Sequence, residues 1–471
     1  MIKSTFGVII TNRSFFPAHL VTEERAKILK KLESMGYEAI ILSERDTPLG
    51  AVRTLSDAKK CAELFRKEQD RIDGIIVVLP NFGEEAGVAA AIDLARLDVP
   101  VLVQACDDSP EKMDISNRRD AFCGKISLCN SLYQRNIKFT NTSVHTCDID
   151  SDVFTADLEK FAAVCRVVKG ITGARVGAIG ARPDPFQTVR FSEKLLQASG
   201  ITVCVADMSE IIAKAASMGK TDEVEDKVKE IKSYGRIPNH ISEEKIYKQA
   251  KLCIVLEKWV RENECDASAI QCWDSIQNNY GCATCLAMSM MGENYLPSAC
   301  EMDVTGALTM LALNLASGKP SAYMDWNNNF TDDRNKCVNL HCSNFPRSFF
   351  GNTEMEISNL DVLATTIGAE KCFGACKAQV TAGPMTFAKI TTDDKNGKIK
   401  AYIGEGEFLD APVNTPGGVA LCKVDGLQRL LDYICKNGFE HHVAMSRSLC
   451  ADVLEEAFGN YLGWEVHRHR A

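Results

Sequence analysis

Apolar positions fall into two rhythms along roughly the first 110 residues. Short Val- and Ile-rich runs, "TFGVIIT", "YEAIIL", "IDGIIVVLP" and "VPVLVQA", alternate with amphipathic stretches, "TEERAKILKKLESMG", "SDAKKCAELFRKEQ" and "EEAGVAAAIDLARLD". Strands apolar on both faces and separated by helices predict a parallel sheet covered on both sides. This is the pattern of a doubly wound, flavodoxin-like domain. Its ligand edge is the C-terminal end of the strands, where "TNRSFF", "LPNFGEE" and "ACDD" lie.

A helix-rich passage, residues 116–169, leads into a second α/β set. Its strands read "ARVGAIGA", "ITVCVAD" and "ASAIQCW". Its helices include "FQTVRFSEKLLQAS" and "SEEKIYKQAKLCIVLEKWVREN", and "GKTDEVEDKVKEIKSYG" reads as a solvated helix. After about residue 350 the pattern turns to strands, with "DDKNGK" as a hairpin turn. A helix "DGLQRLLDYICKNG", a strand "FEHHVAMS" and a closing helix follow. The predicted class is α/β: two doubly wound, flavodoxin- or Rossmann-like domains over 1–168 and 169–350, then a β-rich, barrel-like domain over 351–471.

Composition narrows the function classes. The 471 residues are 45% hydrophobic and 25% charged, with a formal net charge of −9. That balance argues against nucleic acid as a partner, since phosphate binding needs clustered Lys and Arg. No apolar run reaches the ~18 residues of a membrane span. The 20 cysteines are scattered, and "MIKSTFGVIITNRSFFP" has no signal-peptide pattern. The expectation is a reducing cytoplasm, with most cysteines acting as small buried hydrophobes. "GCATC" (Cys282 and Cys285) has redox or zinc spacing, but a single pair at a helix start reads as core packing.

Three segments set acids and histidines among apolar neighbours. "CEMDVTGAL" carries Glu301 and Asp303, and "YMDWNNNF" carries Asp325. "NLHCSNF" carries His341, and "FEHHVAMSRS" carries His441 and His442. A carboxylate so placed must be paired, hydrogen-bonded or bound to a metal. Oxygen-rich donors with one or two imidazoles suit Mn²⁺, Mg²⁺ or Co²⁺. Plainer roles stand beside this one: Glu301 as a helix-start acid, Asp325 as a turn cap, His341 as an ordinary strand histidine. In a regular strand, His441 and His442 point to opposite faces.

These motifs resemble the L-fucose isomerase and L-arabinose isomerase superfamily of aldose–ketose isomerases. There, an acid at a helix start, a second acid about two dozen residues later and a C-terminal histidine bind the metal. Glu301 and Asp325 match the two acids, and His442 matches the histidine. His341 stands where the arabinose branch has an additional ligand. The resemblance implies that Glu301 and Asp325 are both ligands and the acid/base pair. It implies a sugar substrate and a homo-oligomer, trimer or hexamer, with active sites at subunit interfaces.

Substrate contacts are expected from Arg13 and Phe16 of a neighbouring first domain. Others are expected from Arg182 and Gln187 in "GARPDPFQT", and from Trp326 and Asn327 beside Asp325. An anionic sugar, a deoxy sugar and a pentose all remain open. So do an epimerase or aldolase and a non-catalytic sugar-binding protein. A thiol redox protein lacks an evident base beside any cysteine.

Overall fold

A computed structural model describes residues 4–470; residues 1–3, which open the stretch read for an export signal, lie outside it. The chain divides into two compact units, Met1–Lys169 and Gly170–Ala471.

In the first unit, β1 (Thr5–Ile10), β2 (Glu38–Ile41), β3 (Gly74–Leu79), β4 (Val101–Ala105) and β5 (Thr140–Asn141) form a parallel sheet. Its order is β2-β1-β3-β4-β5. Alternation along β3 explains its apolar run. Ile75, Val77 and Leu79 enter a core beneath helices Leu55–Lys67 and Glu85–Ala95. Ile76 and Val78 enter a second core beneath helices Ala18–Ser34 and Asp152–Ile171. The helix Leu55–Lys67 starts with a reciprocal capping box between Thr54 and Asp57, which satisfies two orphan N–H groups. Two-residue β5 leaves no hydrophobic run, so the pattern does not reveal it.

The second unit begins with another parallel sheet. β6 (Arg175–Ile179), β7 (Thr202–Ala206), β8 (Ala267–Ile270) and β9 (Ser298–Ala299) run in the order β7-β6-β8-β9. Two helices differ from expectation. "FQTVRFSEKLLQAS" is helical only over Glu193–Ala198, because the residues before it form a loop and a short 3₁₀ turn. The charged helix Asp222–Tyr234 is not solvated all round. It buries Val224, Val228, Ile231 and Tyr234, an i, i+4, i+7, i+10 stripe.

The β-rich layer has nine strands: β10 (Ala322–Phe330), β11 (Asp333–His341), β12 (Glu356–Asn359), β13 (Phe373–Gln379), β14 (Gly383–Asp393), β15 (Lys398–Phe408), β16 (Gly418–Lys423), β17 (His442–Ser446) and β18 (Glu465–Arg468). Pairing runs β12-β13-β16-β11-β10-β17-β14-β15-β18, and a further β15–β16 contact closes six strands into a ring. Two of these strands, β10 and β11, come from residues ahead of 350, which the pattern had grouped with the central part. Their apolar runs look alike in either sheet, and only antiparallel pairing with β16 and β17 assigns them.

The helix Val304–Ser317 is buried nearly all round, between β8 and β9 on one side and β14 and β17 on the other. Its close approach depends on Gly306, where a methyl would overlap the Tyr323 side chain. Gly306→Ala is therefore expected to destabilise the protein by about 1–3 kcal/mol through overpacking. A urea titration of the two proteins measures the difference.

Candidate metal centre and active site

Four elements bring the predicted acids and imidazoles together. β9 ends just before Glu301, and the Val304–Ser317 helix follows it. Asp325 lies on β10, His341 ends β11 and His442 opens β17. Antiparallel pairing sets Asp325 directly opposite His442. Glu301 and Met302 both adopt left-handed backbone, at φ 60° and 57°, and this tight turn carries the Glu301 carboxylate back over the strands. His442 Nε2 then lies 3.1 Å from Glu301 Oε2 and 3.5 Å from Asp325 Oδ1, while His341 Nε2 lies 3.6 Å from Asp325 Oδ1. Glu301 Oε2, Asp325 Oδ1, His341 Nε2 and His442 Nε2 are all buried without an aligned hydrogen-bond partner.

A further set of residues supports His442 from behind. Its Nδ1 lies 3.0 Å from Asp303 Oδ2. The same oxygen accepts from Lys389 Nζ at 2.7 Å and from the Tyr323 hydroxyl. Asp303 Oδ1 meanwhile caps the helix through Gly306 N at 2.7 Å. His341 is held differently: its Nδ1 accepts the backbone N–H of Cys342 at 2.8 Å. A neutral His341 ring consequently carries its proton on Nε2. Trp273 donates its indole N–H to Glu301 Oε1 at 3.1 Å.

Electrostatics follow from this crowding. Burial by itself raises the pKa of Glu301, but the adjacent His442 and the surrounding imidazoles bring it below the ordinary value. Burial likewise opposes the Asp303 charge, and Lys389 and His442 overcome it, holding Asp303 far below the usual carboxylate range. Burial pushes His442 down, but the Asp303 carboxylate at Nδ1 and the Glu301 carboxylate near Nε2 lift it to about 10.

His441 departs from the alternation argument. It precedes β17 rather than lying within it, so it is not turned to the opposite face. Its Nε2 reaches within 3.9 Å of Asp325 Oδ1, and the ring is 41% exposed. Two trios meet a metal-like geometry and share His442: Glu301, His441 and His442, and Asp325, His341 and His442. Phe186 stacks near Trp273 (5.1 Å between centroids) and His441 (6.3 Å), so the loop after β6 lies at the mouth of the cluster. This mouth is at the C-terminal ends of β6 and β8, the crevice where the strand order of this sheet reverses.

The expected substrate contacts are placed less uniformly. Arg182 turns Nη1 onto its own loop carbonyls, Pro183 O and Asp184 O. Gln187 is exposed beside it. Asn327 is the extra residue of a β-bulge between Trp326 and Asn328, with Nδ2 3.5 Å from Asp325 Oδ2. Trp326 takes the opposite face of β10, packs on Phe387 and donates to the Tyr402 hydroxyl at 3.0 Å. It is a packing residue, because strand alternation turns it away from Asp325. Arg13 and Phe16 belong to the first unit, where the Arg13 guanidinium meets Gly83 O, Glu84, Glu85 and the Phe82 ring.

Sequence reading named Asp303 without a role, and it missed Lys389, Tyr323, Trp273 and Phe186. Asp immediately before "VTGAL" is an N-cap signal. A lysine inside the apolar run "MTFAKI" was the other legible hint.

An acid–imidazole cluster thus lies at a switch-point crevice, with two groups of side chains that could hold a metal ion. Comparison with known proteins specifies the family. Residues 7–172 match the family "Fucose/sulfoquinovose isomerase, N-terminal domain" and residues 339–470 match "L-fucose isomerase, C-terminal domain". A sulfoquinovose isomerase of Alkalicoccus urumqiensis is 24% identical over 400 residues, covering 82% of this chain and 83% of that protein. One of Priestia aryabhattai is 26% identical over 183 residues, covering 38% of this chain and 40% of the relative. One of Clostridium sp. (strain MSTE9) is 23% identical, covering 64% and 65%. An ABC transporter solute binding protein of Burkholderia multivorans aligns at 11% identity with a TM-score of 0.17, covering 68% of this chain and 95% of that one, too weak a likeness to carry an argument. The chain belongs to the fucose isomerase-like superfamily of aldose–ketose isomerases. Glu301 and Asp325 lie in the interval between the two matched segments.

Because His442 is raised, its stabilising effect is complete below the ordinary imidazole value and is lost as pH climbs through about 10. EDTA-treated protein is expected to lose thermal stability between pH 7 and 10 relative to a His442→Gln variant. Mn²⁺ should bind more tightly over the same interval, because a ligating nitrogen must be bare. Scanning fluorimetry and calorimetric titration across that range check both slopes.

Proposed function

We propose that the protein interconverts a sulfonated aldose and its ketose, using a divalent ion held by Glu301, Asp325 and His442. The carrying observation is that Glu301 Oε2, Asp325 Oδ1 and His442 Nε2 are buried and unpartnered, with His442 Nε2 3.1 Å and 3.5 Å from the two oxygens and shared by both metal-like trios. Two carboxylates and a neutral imidazole fit Mn²⁺, with Mg²⁺ or Co²⁺ as substitutes. His341 was expected as a fourth ligand. With its Nδ1 taken by the Cys342 N–H, it is better suited to donate from Nε2 to Asp325 or to a sugar oxygen.

When bound, the ion supplies Lewis-acid stabilisation of the charge that develops on the two sugar oxygens. The chain's own groups move the protons. One carboxylate of the Glu301/Asp325 pair takes the proton from C2 and returns it to C1. The second carboxylate passes the hydroxyl proton from O2 to O1, so an aldose leaves as a ketose. Trp273 steadies Glu301 through Oε1. Phe186 and Trp273 supply an apolar wall that limits water at the crevice mouth.

The anionic substrate is supported by the relatives, which are named as sulfoquinovose isomerases. Arg182 and Gln187 lie on the loop that carries Phe186, the side from which a sulfonate tail would be read. Arg13 and Phe16 are proposed to reach the site of a neighbouring subunit in a trimer or hexamer. We place the protein in the cytoplasm; no helix among the described residues is long and apolar enough to cross a membrane.

Incubating the Mn²⁺-loaded protein with sulfoquinovose in D₂O is expected to place deuterium beside the carbonyl; no exchange would remove the isomerase reading. Glu301→Gln should lower kcat by at least about 10²-fold while the circular-dichroism spectrum is retained. Arg182→Ala should raise KM for the sulfonated sugar about tenfold and leave a neutral analogue unaffected, the loss expected for one charge-assisted contact. Steady-state kinetics on both sugars separates the two.

A further inference from the structure

Lys389 stands in the middle of β14 with no solvent exposure. A buried ammonium is costly unless it is paired and fully hydrogen-bonded. Its three donors are all placed: on Asp303 Oδ2 at 2.7 Å, on Tyr323 Oη at 3.1 Å and on Thr305 Oγ1 at 3.3 Å. None of these partners is a ligand atom of the cluster. Nothing in proton transfer at a sugar carbon requires a lysine here, so its retention in the core calls for another role.

We propose that Lys389 is a positioning residue of the metal centre, anchoring Asp303 so that His442 presents a bare Nε2 to the ion. The inference rests on the reading that Glu301, Asp325 and His442 hold a divalent cation.

An imidazole can ligate through Nε2 only when its proton is on Nδ1. Asp303 enforces that arrangement, because an ionised carboxylate accepts hydrogen bonds and cannot donate them. Three carboxylates around one buried imidazole would repel one another, and Asp303 would be free to rotate away from Nδ1. The Lys389 ammonium offsets one of these charges. Together with the Tyr323 hydroxyl it fixes Asp303 Oδ2 at the Nδ1 position, while Gly306 N and Thr305 Oγ1 fix Oδ1. Each oxygen of Asp303 is thereby held, and the imidazole ring inherits that rigidity. Partners behind a ligating histidine are typically worth about 10–100-fold in metal affinity.

The test uses the full-length protein and Mn²⁺ itself. Lys389→Met removes the ammonium that offsets the buried Asp303 charge and risks misfolding, so a charge-balanced variant, Asp303→Asn with Lys389→Met, is measured beside Tyr323→Phe. Asparagine keeps an oxygen for the helix cap but offers His442 an N–H donor, which favours the wrong tautomer, as a comparable Asp-to-Asn change does in serine proteases. The expected result is a Mn²⁺ Kd weakened about 10–100-fold in the double variant and less in Tyr323→Phe. Excess Mn²⁺ should recover most of kcat. Pulsed electron paramagnetic resonance should show weakened imidazole-nitrogen coupling to Mn²⁺ in the double variant. A folded double variant with wild-type Kd and wild-type nitrogen coupling overturns the inference while the metal reading stands. A wild-type protein that binds no Mn²⁺ overturns both.

Discussion

The buried carboxylate of Asp303 is the joint on which this part of the molecule turns. One oxygen closes the N-terminus of the Val304–Ser317 helix, and the other meets His442, Lys389 and Tyr323. A single group therefore ties the helix to β10, β14 and β17. Removing one partner of such a buried set typically costs about 3–5 kcal/mol, because the remaining charge is left uncompensated. Stability and imidazole geometry are consequently not separable here: the carboxylate that caps the helix is the carboxylate that meets the imidazole.

The turn just before that helix shows the same coupling. Two successive non-glycine residues, Glu301 and Met302, sit in left-handed backbone, a conformation that costs of order 1–3 kcal/mol per residue. The cost is met by the helix that follows, whose apolar residues are buried on nearly every side. Each buried Leu or Met side chain contributes about 1.5–3 kcal/mol. A helix buried on nearly every side is what allows an acidic residue at its entrance to be held in a strained but fixed position.

The shifted thiols do not have the character of activated nucleophiles. Wherever a cysteine is shifted, burial pushes it upward, to about 12 for Cys61 and Cys376, the reverse of an activated thiolate. Cys282 and Cys285 are buried at the start of the Cys285–Glu293 helix, as their position in an apolar segment suggests. Glu301, Asp303 and His442 show the opposite behaviour, with burial outweighed by specific neighbours.

Period and residue type settled much of this protein in advance. The first sheet, the second parallel sheet and a strand-rich C-terminal layer could be read from runs apolar on both faces and from their spacing. Glu301, Asp325 and His442 stood out because charged or titratable side chains interrupt apolar segments. Which strands β10 and β11 join was not legible, since pairing is decided by partners a hundred residues away. Nor was the shared side of His441 and His442, which depends on where β17 begins. Tyr323 and Trp273 were invisible for a related reason: each gains its role only from a hydrogen bond to a residue outside its own segment. Local pattern records which faces are buried, whereas the meeting of polar atoms across strands is a property of the assembled sheet alone.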